Sequence, residues 1–281
     1  ITDTFIILII LCAAFLHALW NFILRSSKDK LLSMTSVVLG HLPLALIGIF
    51  LFGLPNINGL YYILVSAFLH FFYQVFLLNA YKYGELSEVY PIARGASPLI
   101  ITTLSLFVFH ENISFLEILG VITISFSILL YGIWQYLKNK SNIRGFWLAI
   151  ITGCFIASYS IVDGLGARVT QNPISYFSIM TLINGIIFAI FVRLHSPGTL
   201  KRVVYEGKSS FLIGGAASYT AYAIVVWACL FFPIAVVSSI RETSILFALL
   251  LGIWFLKEKF NLIKIILIIG SLLGILLMRL G

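Results

Sequence analysis

The sequence predicts an all-α integral membrane protein, ten transmembrane helices arranged as two inverted five-helix repeats. Three observations predict it. The 281 residues are 61% hydrophobic and 10% charged, against about 25% charge in a soluble domain. The apolar residues fall into runs long enough to cross a bilayer, which takes ~20 residues per helix. Finally, one pattern occurs twice. Leu86 to Phe109 carries Arg94-Gly95-Ala96-Ser97 and ends at His110-Glu111, and Pro233 to Phe255 carries Arg241-Glu242-Thr243-Ser244 and ends at Lys257-Glu258. Arg94 aligns with Arg241, Ser97 with Ser244, Leu99 with Leu246, Leu104 with Leu251 and Glu111 with Glu258, without a gap.

Taken in order, the first span covers 4–24 and is followed by the polar link 25–30. With no small-residue cleavage site, this stretch reads as a retained helix rather than a signal peptide. The second span, 31–53, stops at the turn signal Pro55-Asn56-Ile57-Asn58-Gly59. The third, 60–81, ends near Gly84; the fourth is 86–109 and the fifth 114–137. The polar segment 138–144 reads as a linker between a first repeat, 1–137, and a second, 145–281. In the second repeat, 145–164 ends at Gly164-Leu165-Gly166, and 173–194 precedes the longest loop, 195–209. The spans 210–231, 233–255 and 261–279 complete the set.

Five spans per repeat is odd, so the two repeats enter the membrane from opposite sides, an architecture common among secondary transporters. Nearly all basic residues fall in links on one side, including Arg25, Lys28, Lys30, Lys82, Lys138, Lys140, Arg144, Lys201 and Arg202, whereas the other side has Arg168 and Arg279. The positive-inside rule makes loops 25–30, 138–144 and 195–209 cytoplasmic and puts both termini outside. The same distribution gives the net charge of +8 a topological cause and leaves no nucleic-acid footprint. Cys12, Cys154 and Cys229 lie in apolar runs without metal or disulfide spacing. With no Walker loop, no G-x-S-x-G and no metal-ligand spacing, the chain reads as a protein without a cofactor and without catalysis.

Pro91 through Arg94 to Glu111, and Pro233 through Arg241-Glu242-Thr243-Ser244 to Leu256-Lys257-Glu258, are similar to the pattern of the drug/metabolite transporter superfamily in its EamA-like ten-helix branch. His17-Ala18-Leu19-Trp20-Asn21 and Val162-Asp163-Gly164-Leu165-Gly166-Ala167-Arg168 resemble a subgroup often found near phosphonate-utilisation genes. The resemblance covers nearly the whole chain. It implies two five-helix halves around a central cavity lined by the first, third, fourth, sixth, eighth and ninth spans, the fifth and tenth packing outside. Many members are assigned cytoplasmic termini; the charge count here places them outside.

The two arginines are the leading candidates for chemistry. Charge inside a membrane is rare and functional by default. Arg94 sits about eight residues, roughly 12 Å, into its helix, with Tyr90 and Ser97 on its face; Arg241 has Ser238 and Ser244 on its own. A guanidinium suits carboxylate or phosphonate oxygens bidentately, and the plainer alternative is that each arginine pairs with an internal carboxylate. Glu242 adjoins Arg241, but helix neighbours point ~100° apart. It reads either as a proton-titrating group or as a partner for Arg94. Asp163 is expected near water at the end of the sixth span, paired with Arg241 or Arg168.

His17, Trp20 and Asn21 share one helix face, as do His70, Tyr73 and Gln74, Tyr159 and Asp163, and Tyr219 and Tyr222. These sets point to one aqueous pocket, with His17, His70, Asp163 or Glu242 carrying a coupling proton where coupling exists. Glu111 and Glu258 read as structural, each beside the start of the following helix. Gly270-Ser271-Leu272-Leu273-Gly274 suits helix packing or dimerisation, so monomer and homodimer both stay open. The resulting expectation is a secondary transporter in a bacterial inner membrane. It moves a small polar metabolite with an anionic or zwitterionic head by alternating access, its substrate-binding residues drawn from Arg94, Arg241, Ser97, Ser244, Tyr90, Trp20, Asn21, Tyr73, Gln74, Tyr159 and Tyr222. The rival readings are an exporter of cationic, aromatic or choline-like amines held in an aromatic cage, and a lipid-linked flippase component or intramembrane enzyme.

Overall fold

A computed structural model describes residues 3–256 and 261–281. Lys257, Glu258 and Lys259, and with them the role expected of Glu258, lie outside the described residues. The chain forms α1 (Asp3–Ser26), α2 (Lys30–Phe52), α3 (Leu60–Ala80), α4 (Leu86–Phe107), α5 (Phe115–Asn139), α6 (Ile143–Thr170), α7 (Pro173–His195), α8 (Thr199–Glu206), α9 (Gly215–Ala228), α10 (Ile234–Glu242), α11 (Ser244–Leu256) and α12 (Leu262–Leu280), with no strand among the described residues. Nine helical stretches among these residues are long and apolar enough to cross a membrane, with α10 and α11 counted as one. The other long helix, α4, has 22 residues but carries Glu88, Arg94, Pro91 and Pro98, which lower its hydropathy. The all-helical membrane fold therefore stands as expected.

Local chemistry sets the helix starts. Asp29 opens α2 by accepting a hydrogen bond from the Leu32 amide at 3.0 Å. Ser114 and Glu117 form a reciprocal capping box at α5. Asn172 caps α7 ahead of Pro173, a residue suited to the first helical turn.

Glycines set the closest helix contacts. A Cβ on Gly274 would fall 2.7 Å from the Gly120 carbonyl oxygen, so the Gly270/Gly274 pattern is used within the chain to pack α12 on α5. A Cβ on Gly40 would fall 2.1 Å from the Phe211 carbonyl oxygen, where α2 crosses the π-helical turn Ser210–Gly214 that leads into α9.

Several boundaries differ from the sequence reading. The sixth span does not end at Gly164-Leu165-Gly166: α6 continues to Thr170. Those glycines make room for neighbours, since a Cβ on Gly164 would meet Ile234 and one on Gly166 would meet the Tyr176 ring. The 195–209 segment contains the helix α8, which buries Val203. The span 233–255 is interrupted at Thr243, whose backbone N–H and side-chain hydroxyl both donate to the Ile240 carbonyl oxygen, at 3.1 and 2.6 Å. By contrast α4 stays helical through Pro91 and Pro98. Glu111 does not serve the following helix: it pairs with Arg168 and accepts from the Ile234 amide at 3.2 Å. It thus caps α10, where the helix dipole favours a carboxylate. Arg168 also donates to the carbonyls of Cys229 and Phe232, at 2.8 and 3.0 Å, tying α4, α6, α9 and α10 together at the end of the bundle where α1 begins.

Candidate functional site

Two buried ionic clusters and one pocket occupy the middle of the bundle. The first cluster joins α4 to α10. Arg94 Nη1 donates to Glu242 Oε2 at 2.8 Å, and Arg241 donates to Glu242 Oε1 from Nη2 at 2.7 Å and from Nε at 3.2 Å. Glu242 is fully buried and the arginines nearly so. The expectation that Arg241 and Glu242 point apart does not hold, because α10 ends at Glu242 and the tightened turn at Thr243 lets the two side chains fold together. Two cations thus share one anion. Tyr90 stacks under Arg94, ring centroid 5.0 Å from Cζ, and Tyr222 under Arg241 at 5.6 Å, contacts that favour a desolvated cation. Ser160 and Ser238 accept weakly from Arg241 Nη2, at 3.4 and 3.3 Å. Arg241 Nη1 is buried without a hydrogen-bond partner among the described residues.

The second cluster surrounds Asp163. Its Oδ1 accepts from the Ser66 hydroxyl and, at 2.9 Å, from Tyr176 OH. Its Oδ2 accepts from Tyr222 OH at 2.7 Å and lies 3.0 Å from His70 Nε2. Four neighbours from α3, α7 and α9 thus converge on one carboxylate of α6. Asp163 is therefore neither near water nor at a helix end, and its ionic partner is His70 rather than Arg241 or Arg168.

Above these clusters lies a small pocket of about 50 Å³, lined from α1, α2, α3, α6, α7 and α9. His17, Trp20, His70, Tyr73, Gln74, Tyr159 and Tyr222 all face it. His70 stacks on Tyr159 with centroids 4.0 Å apart, and Tyr222 and Tyr73 meet Tyr159 edge-on at 5.7 and 5.4 Å. Trp20 Nε1 donates to His17 Nδ1 at 3.2 Å. Gln74 Nε2 donates to Asn184 Oδ1 at 3.1 Å. The other polar atoms of these side chains, His17 Nε2 and Gln74 Oε1, and His41 Nε2 as well, are buried and unpartnered among the described residues. Unmet polar atoms around one cavity mark a place where water or ligand supplies the missing bonds.

The sequence candidates do not all meet there. Asn21 turns away, donating to the His17 carbonyl oxygen at 2.7 Å and lining a separate cavity with Tyr90, Pro91 and Tyr131. Ser97 and Ser244 are fully buried, and like Arg94, Arg241, Glu242 and Asp163 they do not line the pocket. The expected lining also changes: α2 and α7 take part, and α4 and α10 instead supply the ionic floor. His41, Phe177, Thr181, Asn184, Ser66 and Tyr176 join the sites without being among the residues the sequence singles out. Thr181 and Asn184 are three apart on one helix, the same spacing that revealed the other faces, and that signal was readable.

Comparison with known proteins fits this architecture. One solved crystal structure of a protein superposes with a TM-score of 0.74 over 99% of this chain and 98% of that chain, at 14% sequence identity; this likeness concerns the fold alone. No curated protein matches. The model of the EamA-like transporter family matches residues 4–133 and again 143–280. The chain therefore belongs to the EamA-like transporter family, within the drug/metabolite transporter superfamily that its arginine-bearing motifs resemble.

Proposed function

We propose that the protein is a secondary transporter that moves a small polar metabolite with an anionic or zwitterionic head by alternating access between its two five-helix halves. The observation that carries this reading is the unmet guanidinium nitrogen. Among the described residues, Glu242 is the one carboxylate Arg94 and Arg241 share, and Arg241 Nη1 has no hydrogen-bond partner. A buried cation with a free N–H is an acceptor's place, and the aromatic walls above it suit the apolar part of a ligand. The test is uptake into proteoliposomes, with a radiolabelled amino-acid mixture and methylphosphonate as probes. Arg241→Ala is expected to reduce uptake by ~100-fold or more, as loss of a charge-assisted bond to a desolvated ligand implies, while the variant still purifies as a monodisperse species. Normal uptake by that variant removes the arginine from the mechanism.

One observation favours a second reading, export of cationic amines: Asp163 lies behind Tyr159, Tyr222 and His70, an aromatic wall suited to an ammonium group. Thermal-shift measurements with choline-like cations against amino acids and methylphosphonate separate the two, since each reading predicts stabilisation by its own ligand class.

The topology we infer is that of the charge count, with both termini outside and loops 25–30, 138–144 and 195–209 in the cytoplasm of a bacterium. It predicts that Asn56→Cys, in a chain whose three cysteines are replaced by alanine, reacts with a membrane-impermeant maleimide added outside intact cells. Labelling only after permeabilisation reverses the topology.

A further inference from the structure

We propose that His70, held by Asp163, is the proton-binding site of this protein, and that Glu242 serves as structural counter-charge to the two arginines. The proposal rests on the transporter reading for its purpose, though not for its geometry. A coupling site needs a titratable group, access for the proton, a counter-charge that tolerates both protonation states, and attachment to helices of both repeats.

Glu242 meets the first and last needs, joining α4 to α10, but neither of the other two. Its side chain has no exposure, and both its oxygens are engaged by guanidinium groups. A proton arriving there has to break two charge-assisted pairs and leave two arginines uncompensated. Among the pocket histidines, His17 uses Nδ1 to accept from Trp20 and has no carboxylate partner among the described residues. His41 is largely buried, with no partner at Nε2 among the described residues.

His70 meets all four needs. It faces the pocket and its side chain keeps 12% exposure, whereas Asp163 behind it keeps 2%. Imidazole titrates between pH 5 and 8 in ordinary surroundings. Asp163 Oδ2 sits 3.0 Å from Nε2, so the imidazolium forms an ion pair and the neutral ring can keep a hydrogen bond. The carboxylate stays solvated by protein in either state through Ser66, Tyr176 and Tyr222. The remaining ionisable groups facing the ring are Tyr73 on its own helix, Tyr159 on α6, Tyr222 on α9 and His41 on α2. Arg241 packs on the Tyr222 ring, which His70 meets edge-on. Finally, the site gathers α3, α6, α7 and α9 on one carboxylate. A change of charge there alters the balance among four helices at once.

The experiment is a pH titration of the imidazole signals in histidine-labelled protein by NMR, with His70→Gln identifying the residue. The expected result is a pH-dependent step in the His70 signals of the parent that is altered in Asp163→Asn, because the carboxylate 3.0 Å from Nε2 is then gone. Tyr222→Phe, which keeps the carboxylate, guards against misfolding of the asparagine variant. It withdraws one donor from the Asp163 carboxylate and is expected to alter the step as well. A His70 signal that stays flat from pH 4 to 9, or that is the same in parent, Asp163→Asn and Tyr222→Phe, overturns the proposal. In proteoliposomes, an imposed pH gradient is expected to change accumulation of the amino-acid or methylphosphonate probe in the parent and to have no effect in His70→Gln. A gradient response retained in that variant also overturns it. A parent that transports neither probe defeats the transporter reading and leaves the titration result standing.

Discussion

Glu242→Ala is expected to destabilise the protein by about 3–5 kcal/mol, the usual consequence of removing one partner from a buried ion pair. The effect is this large because the glutamate serves two arginines. Arg94 and Arg241 are 2% and 1% exposed, so water cannot replace the lost carboxylate. The guanidinium group remains charged at any accessible pH. Two cations then face each other in a medium of low dielectric, where repulsion is weakly screened. Total stabilities run at only ~5–15 kcal/mol, so the variant should lose much of its margin. The measurement is thermal unfolding in detergent followed by intrinsic tryptophan fluorescence. Combining the change with Arg94→Met removes the repulsion and should recover part of the loss, which makes the two substitutions non-additive. A Glu242→Ala protein that melts with the parent would mean that the carboxylate is not holding the arginines.

The second large effect is expected at Gly40. A Cβ there would sit 2.1 Å from the Phe211 carbonyl oxygen and 3.0 Å from Gly215 Cα. Both obstacles are backbone, so no side chain can rotate away, and α2 must separate from the start of α9. Overpacking a dense interior costs ~1–3 kcal/mol and sometimes more. Gly40→Leu should lie at or beyond the upper end, with Gly40→Ala below it. Gly198, which has nothing within 4 Å of a built Cβ, supplies the control: Gly198→Ala should melt like the parent. If Gly40→Leu does so too, the α2–α9 crossing is not as close as described.

What the sequence revealed, and what it hid, divides along physical lines. Spans were legible because ~20 apolar residues in a row have few other uses. The overrun of α6 was hidden because Gly164 and Gly166 act as contact points in a membrane helix, where small residues let neighbours approach; the same residues in a soluble chain often punctuate helices. The break at Thr243 has no proline to announce it and depends on a hydroxyl returning to Ile240. Within the site, faces were legible from i, i+3 and i, i+4 spacing, which is how His17 with Trp20 and His70 with Tyr73 were found. Partners across the bundle were not. Arg94 and Glu242, or His70 and Asp163, come together only through the packing of separate helices, and a single sequence does not encode that distance directly. Asp163 shows this most plainly: because α6 runs on to Thr170, its carboxylate is buried rather than at a wet helix end.

Tyr222 has two neighbours with opposite charge. Its hydroxyl holds Asp163 and its ring lies beneath Arg241, so one rigid phenol spans both ionic clusters. Thermodynamic linkage then imposes a reciprocity. Any influence that passes between the two clusters through this ring is therefore mutual: whatever a change at Asp163 does to the Arg241 cluster, a change at Arg241 does to the Asp163 cluster in equal measure.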